Sequence, residues 1–182
     1  MTSDVLKYAL KFEGTPYVLW KPHMGSPITD GPPFWVVNSF IPDYNEIYKK
    51  GMCCVGLSNL MRRFQGLQIP GTVDNYKMEF IGGTSSWFNY LMNTNRLDDI
   101  DFKKQYPKGT LLIQNYNLKD QGHVSITIDE NSDLLNSYII HAINDKNDFK
   151  TYNSVVIEKV KNYYNYKRYT HICLPQNWLL KN

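Results

Sequence analysis

Nowhere in the 182-residue chain do about 18 apolar residues run together, so no membrane-spanning helix is predicted. Met1 to Phe12 lacks the apolar run of a secretory signal and carries Asp4 and Lys7. The expectation is a soluble protein without membrane contact, cytoplasmic or delivered by a non-classical route. Cysteine is scarce and odd in number: three residues, Cys53, Cys54 and Cys173, two of them adjacent. That is a poor disulfide framework and fits a reducing compartment or a catalytic thiol better. Excess charge is also missing. A formal net charge of +3 is too small to point to nucleic acid or an acidic polymer as an obligatory partner. No C-x-x-C or H-x-x-x-H spacing and no internal repeat or linker is present, so residues 1–182 are expected to form one domain.

What the chain does have is an ordinary core composition and many aromatics. Hydrophobic residues make up 42%, charged residues 20% and aromatic residues 14%, with 14 tyrosines. Such a composition supports a globular fold with substantial sheet. Thr2 and Ser3 can cap a first helix, in which Val5, Leu6, Ala9, Leu10 and Phe12 recur mostly at helical spacing; Gly14-Thr15-Pro16 stops it. Residues 22–42, rich in Pro and Gly, read as a long ordered loop, a lid or groove wall. A second helix is predicted from Cys54 to Gly66, with Val55, Leu57, Leu60, Met61 and Phe64 as its apolar stripe, and a third over Ser85–Leu97. Strands follow at Thr110–Gln114, His123–Ile128, Leu135–Ile143, Val155–Val160 and Tyr169–Leu174. Helices first and strands afterwards predict an α+β domain with a mostly antiparallel sheet of about five strands.

Two residues in this layout carry chemistry. Cys54 falls where the loop ending at Gly51 enters a helix, and a thiol at a helix N-terminus feels the positive end of the dipole. The same location aims backbone N–H groups at a developing oxyanion. His123 opens a strand whose alternation puts Val124, Ile126 and Ile128 on one face, and His123, Ser125 and Thr127 on the other. The histidine face, with small polar neighbours, is expected to receive the helix end that bears the thiol. A base also needs a partner to fix its tautomer and ring angle. Asn136 and His141 on the next strand are the candidates, and their opposite parity allows only one to face the thiol.

Five short segments, in order along the chain, resemble the NlpC-type branch of papain-like cell-wall peptidases. Gly14-Thr15-Pro16-Tyr17 matches a G-T-P-Y segment after a first helix, and Cys53-Cys54-Val55-Gly56-Leu57 matches in part a D-C-S-G-L nucleophile segment. Pro107-Lys108-Gly109-Thr110-Leu111-Leu112 is similar to a P-G-D-L strand start. Gly122-His123-Val124-Ser125-Ile126 matches G-H-V-x-I, and Ile140-His141-Ala142 matches I-H-A. The resemblance implies a papain-like fold, Cys54 as nucleophile, His123 as general base and an orienting residue that is often His. The I-H-A wording favours His141, and the spacing from the base favours Asn136. It further implies a peptide or cell-wall fragment as substrate, with Tyr17, Cys53 and Val55 beside it and Ser125 on the histidine face. No metal or organic cofactor is called for.

Two departures bear on substrate. The family Asp before the nucleophile is Cys53 here and the Ser after it is Val55; those polar residues help to hold the free amino end of a stem peptide. Asp30 and Asp43 are candidate replacements. Three other functions compete with this reading. A zinc site of Cys53, Cys54, His123 and His141 lacks ligand spacing. The tyrosine- and lysine-rich stretch 161–169 has the composition of a nucleic-acid surface, but also that of a turn between strands. A binding module that keeps the fold without turnover is the third. An amidase, deamidase or acyltransferase working on a non-cell-wall substrate would use the same apparatus.

Overall fold

The computed structural model describes residues 2–18, 43–70, 82–115, 122–146 and 151–180. The predicted loop 22–42, and Asp30 with it, lie outside the described residues. The fold is α+β. Helices α1 (Thr2–Leu10), α2 (Tyr44–Lys50), α3 (Cys54–Phe64) and α4 (Thr84–Asn93) precede the strands. These are β1 (Asp98–Asp99), β2 (Leu111–Gln114), β3 (His123–Thr127), β4 (Tyr138–Lys146), β5 (Thr151–Lys159) and β6 (His171–Cys173). A short helix, α5 (Pro175–Trp178), follows. The six strands form one sheet in the order β1-β6-β2-β3-β4-β5, and every pairing is antiparallel.

Alternation along the strands divides the interior into two cores. On one sheet face Leu111, Ile113, Val124, Ile126, Ile140, Ala142 and Val155 pack against the helices. On the other, Leu112, Ile139, Ile143 and Ile172 meet Leu134, Val160, Tyr163 and Tyr169 from irregular segments. Helix α3 is held by its packing. Val55, Leu57, Leu60 and Met61 are all buried, each contributing roughly 1.5–3 kcal/mol if fully removed from water. Two polar groups on α3 are satisfied at the same time. Asn59 Oδ1 accepts from Trp87 Nε1–H at 2.7 Å, and Asn59 Nδ2 donates to the Gly82 carbonyl at 3.0 Å.

Several boundaries differ from expectation. Helix α2 was not anticipated. It is seven residues long, and Asp43 caps it by accepting from the Asn45 N–H at 2.8 Å. Thr2 and Ser3, expected as caps, lie within α1, which ends at Leu10 rather than Phe12. The strand predicted from Leu135 starts at Tyr138, because Leu134–Asn136 forms a 3-10 turn capped by the Asp133 side chain. The outer edge of β5 is closed by the residues after α1: Gly14 N–H donates to Val155 O at 2.8 Å and Tyr17 N–H to Asn153 O at 2.9 Å. Covering an edge in this way removes a row of unpaired backbone groups.

Candidate active site

Cys54 is the first residue of α3, and Cys53, in extended conformation, precedes it as N-cap. The approach is fixed by Gly51, at φ 77°, where a Cβ would stand 2.5 Å from a Val18 methyl and 2.7 Å from the Pro16 carbonyl oxygen. That closeness lets Met52 pair with the Tyr17 segment: Met52 N–H donates to Pro16 O at 2.9 Å, and Val18 N–H to Met52 O at 3.0 Å. Tyr17 is thereby brought close enough to both cysteines for their charges to be felt at its phenol.

The Cys54 sulfur lies within hydrogen-bonding reach of the backbone of Val124, and the N–H groups of Cys54 and Val55 also face it. It therefore sits at the start of β3, next to His123 in sequence. The body of helix α3 lies on the other face of β3. It packs on Val124 and Ile126, because the apolar stripes of the two elements meet there. His123 lies on the opposite face of β3, and the thiol end of α3 comes near that face: the Cys54 charge is felt at Tyr169, whose ring centroid is 5.9 Å from that of His123.

His123 is enclosed by rings. Its centroid lies 5.3 Å from that of Tyr163, 5.9 Å from Tyr169 and 5.2 Å from His141. Its Nε2 is 2.9 Å from His141 Nδ1, and His141 Nε2 is in turn 3.1 Å from Glu158 Oε1. Of the two orienting candidates, His141 is the one in contact with His123. Asn136 sits in the 3-10 turn, where its amide donates to both Asp133 oxygens and its carbonyl accepts from Lys161 Nζ at 2.8 Å. Glu158 was not anticipated. Its signal was in the sequence nonetheless: in a strand alternating Val155 and Ile157 with Val156 and Glu158, an acid shares a face with Val156.

Electrostatics differ from the expectation of a low-pKa nucleophile. Burial pushes the Cys54 thiol up to about 12, with the neighbouring Cys53 adding to it, and the three backbone N–H groups offset only part. The residue nonetheless keeps partial exposure, and the raised pKa governs its resting form. The resting thiol is therefore protonated at neutral pH. Burial alone lowers His141 to about 3, so it is neutral there. Tyr17 and Tyr169 are both raised by burial. Tyr169 Oη and Ser125 Oγ are buried without a hydrogen bond of good geometry, although they lie close enough for Ser125 to temper the rise at the phenol.

No protein-family model matches the sequence, and no curated protein does. Among solved structures the chain is similar to a lipoprotein-like protein of the NLP/P60 family from Staphylococcus aureus subsp. aureus Mu50, at 15% identity and a TM-score of 0.51. The match covers 100% of this chain and 42% of that one. The fold is of the NLP/P60 type. A wild-type endolysin, LysIME-EF1, aligns at 13% identity and a TM-score of 0.46, over 96% of this chain and 64% of that chain. The chain thus spans less than two thirds of either protein.

Cys53 and Val55 are buried in the helical core, 4% and 6% exposed. Ser125 is buried on the His123 face beside Tyr169. Asp43, a candidate anchor for an ammonium group, is engaged as the α2 cap. Among the described residues no group of three or more His, Cys, Asp or Glu side chains is placed to hold a metal. No described helix is long and apolar enough to cross a membrane.

Proposed function

We propose that this chain is a cysteine hydrolase that cleaves an amide bond, with Cys54 as nucleophile, His123 as general base and His141 as the residue that orients it. The observation that carries this reading is the meeting of three segments at the start of β3. The sulfur lies within reach of the Val124 backbone, and the adjacent His123 is bonded to His141 at 2.9 Å. A buried thiol that is protonated at rest needs a base beside it to become a nucleophile. In this reading the thiol gives its proton to His123 as the sulfur attacks the carbonyl carbon. The backbone N–H groups at the start of α3 stabilise the oxyanion. His123 then protonates the leaving amine, and water, with His123 again as base, releases the acyl group from sulfur.

The substrate we propose is a peptide of cell-wall type, in keeping with the resemblance in sequence and with the NLP/P60-type fold. One observation favours a second reading. The two positions that hold a free amino end in the resembling peptidases are here a buried Cys53 and a buried Val55, which offer an ammonium group nothing to pair with. A substrate without that amino end would suit them better, which makes this an amidase or acyltransferase of different specificity. Incubation with a mixed library of peptides and cell-wall fragments, followed by mass spectrometry, separates the two. Wild-type protein is expected to yield amide-cleavage products. Cys54→Ser should yield about 10³-fold less, and Cys53→Ser should stay near wild type. Equal turnover by Cys54→Ser rules out Cys54 as nucleophile, and products confined to non-cell-wall amides favour the second reading.

A further inference from the structure

Beyond the three residues already assigned, we infer that Glu158 is a positioning residue of this site, which fixes the tautomers of His141 and His123 so that His123 Nδ1 carries the lone pair that takes the thiol proton. The inference rests on the hydrolase reading for its purpose, though not for its geometry. Glu158 and His141 stand on neighbouring strands, where His141 pairs with Val156 and Glu158 is the diagonal neighbour on the same face. A glutamate is long enough to span that diagonal. Its Oε1 lies 3.1 Å from His141 Nε2, with the histidine side chain 0% and the glutamate side chain 11% exposed.

A carboxylate only accepts hydrogen bonds, so the proton of His141 must sit on Nε2. A neutral imidazole carries one proton, so Nδ1 of His141 is a lone pair. That lone pair, 2.9 Å from His123 Nε2, requires the proton of His123 to sit on Nε2. His123 Nδ1 is then the unprotonated nitrogen, and it is the one with basicity to offer. Without an acceptor at position 158, His141 is free to carry its proton on Nδ1 and donate it to His123 Nε2. That exchange would leave His123 with its proton on Nδ1 and no lone pair for the thiol. During the reaction one proton moves from Cys54 Sγ to His123 Nδ1. The two hydrogen bonds of the relay keep their direction, and the new imidazolium charge faces a carboxylate through one neutral ring.

The test uses the whole chain with nitrogen-15 histidine and reads the two-bond coupling pattern of His141. It is paired with the rate at which iodoacetamide labels Cys54. Wild type is expected to show the Nε2–H tautomer of His141. Glu158→Leu should shift it to Nδ1–H or a mixture and slow labelling by about tenfold or more. Glu158→Gln keeps an oxygen acceptor and should hold the Nε2–H form, with labelling within about threefold of wild type. An Nδ1–H tautomer in wild type overturns the inference whether or not the leucine variant folds. So does a leucine variant with unchanged tautomer and labelling. Failure of the hydrolase reading looks different: labelling would then be insensitive to His123→Ala, while the coupling pattern still reports on Glu158.

Discussion

At the scale of single residues the site is a contest between burial and pairing. His141 is fully buried and neutral, and its two ring nitrogens are both engaged, one by His123 and one by Glu158. Asn136 has equally good hydrogen bonds, but all of them are to groups of its own turn and to Lys161. The two residues should therefore fail differently. His141→Ala is expected to reduce turnover by about 100-fold or more, since the base loses its orienting partner. Asn136→Ala should leave turnover close to wild type and lower stability by about 1 kcal/mol. Steady-state turnover and thermal unfolding of both variants check this, and a larger turnover loss for Asn136→Ala would reverse the assignment. The relay was only half legible beforehand. Strand parity allowed only one of His141 and Asn136 to face the thiol without choosing between them, and the proximity of Glu158 depends on the β4–β5 register, which a chain of alternating apolar residues does not specify.

At the scale of elements, α3 is where stability and chemistry meet. Its N-terminus presents Cys54, and one turn further on Asn59 ties it to Trp87 and to the Gly82 carbonyl. Asn59→Leu keeps the volume but strands a buried indole N–H and a carbonyl. A loss of about 2–3 kcal/mol is expected, measurable by urea unfolding. A loss below about 0.5 kcal/mol would show that water replaces those bonds. Long periodic elements such as α3 and α4 could be read from the sequence because their apolar stripes repeat over several turns. Helix α2 could not, since among its seven residues only Ile47 is buried. The two-residue strand β1 is likewise recognisable only by its pairing with β6. The packing of α3 on the sheet is decided at this scale as well. Alternation marks two faces of β3, but which face a helix covers is decided by complementary apolar surface, here Val124 and Ile126.

At the scale of the whole molecule, stability should follow pH through His141. In the unfolded chain this imidazole titrates near its ordinary 6.5; in the folded protein burial holds it at about 3. Between those values the unfolded state binds the extra proton, so stability is complete above about 6.5 and falls as the pH is lowered towards 3. The slope from this group is on the order of 1 kcal/mol per pH unit. His141→Gln should flatten the dependence in urea titrations across that range, whereas an unchanged slope would assign it to other groups. The fold has a second consequence at this scale. Segments distant in sequence converge at the start of β3, and the whole functional account depends on Cys54 and His123 sharing a proton there. The direct measurement is the rate of iodoacetamide labelling of Cys54 near neutral pH, in wild type and in His123→Ala, each confirmed as folded. A fall of about tenfold or more in the variant is predicted, because without His123 as base the raised-pKa thiol stays protonated. Equal rates in the two proteins would contradict the account.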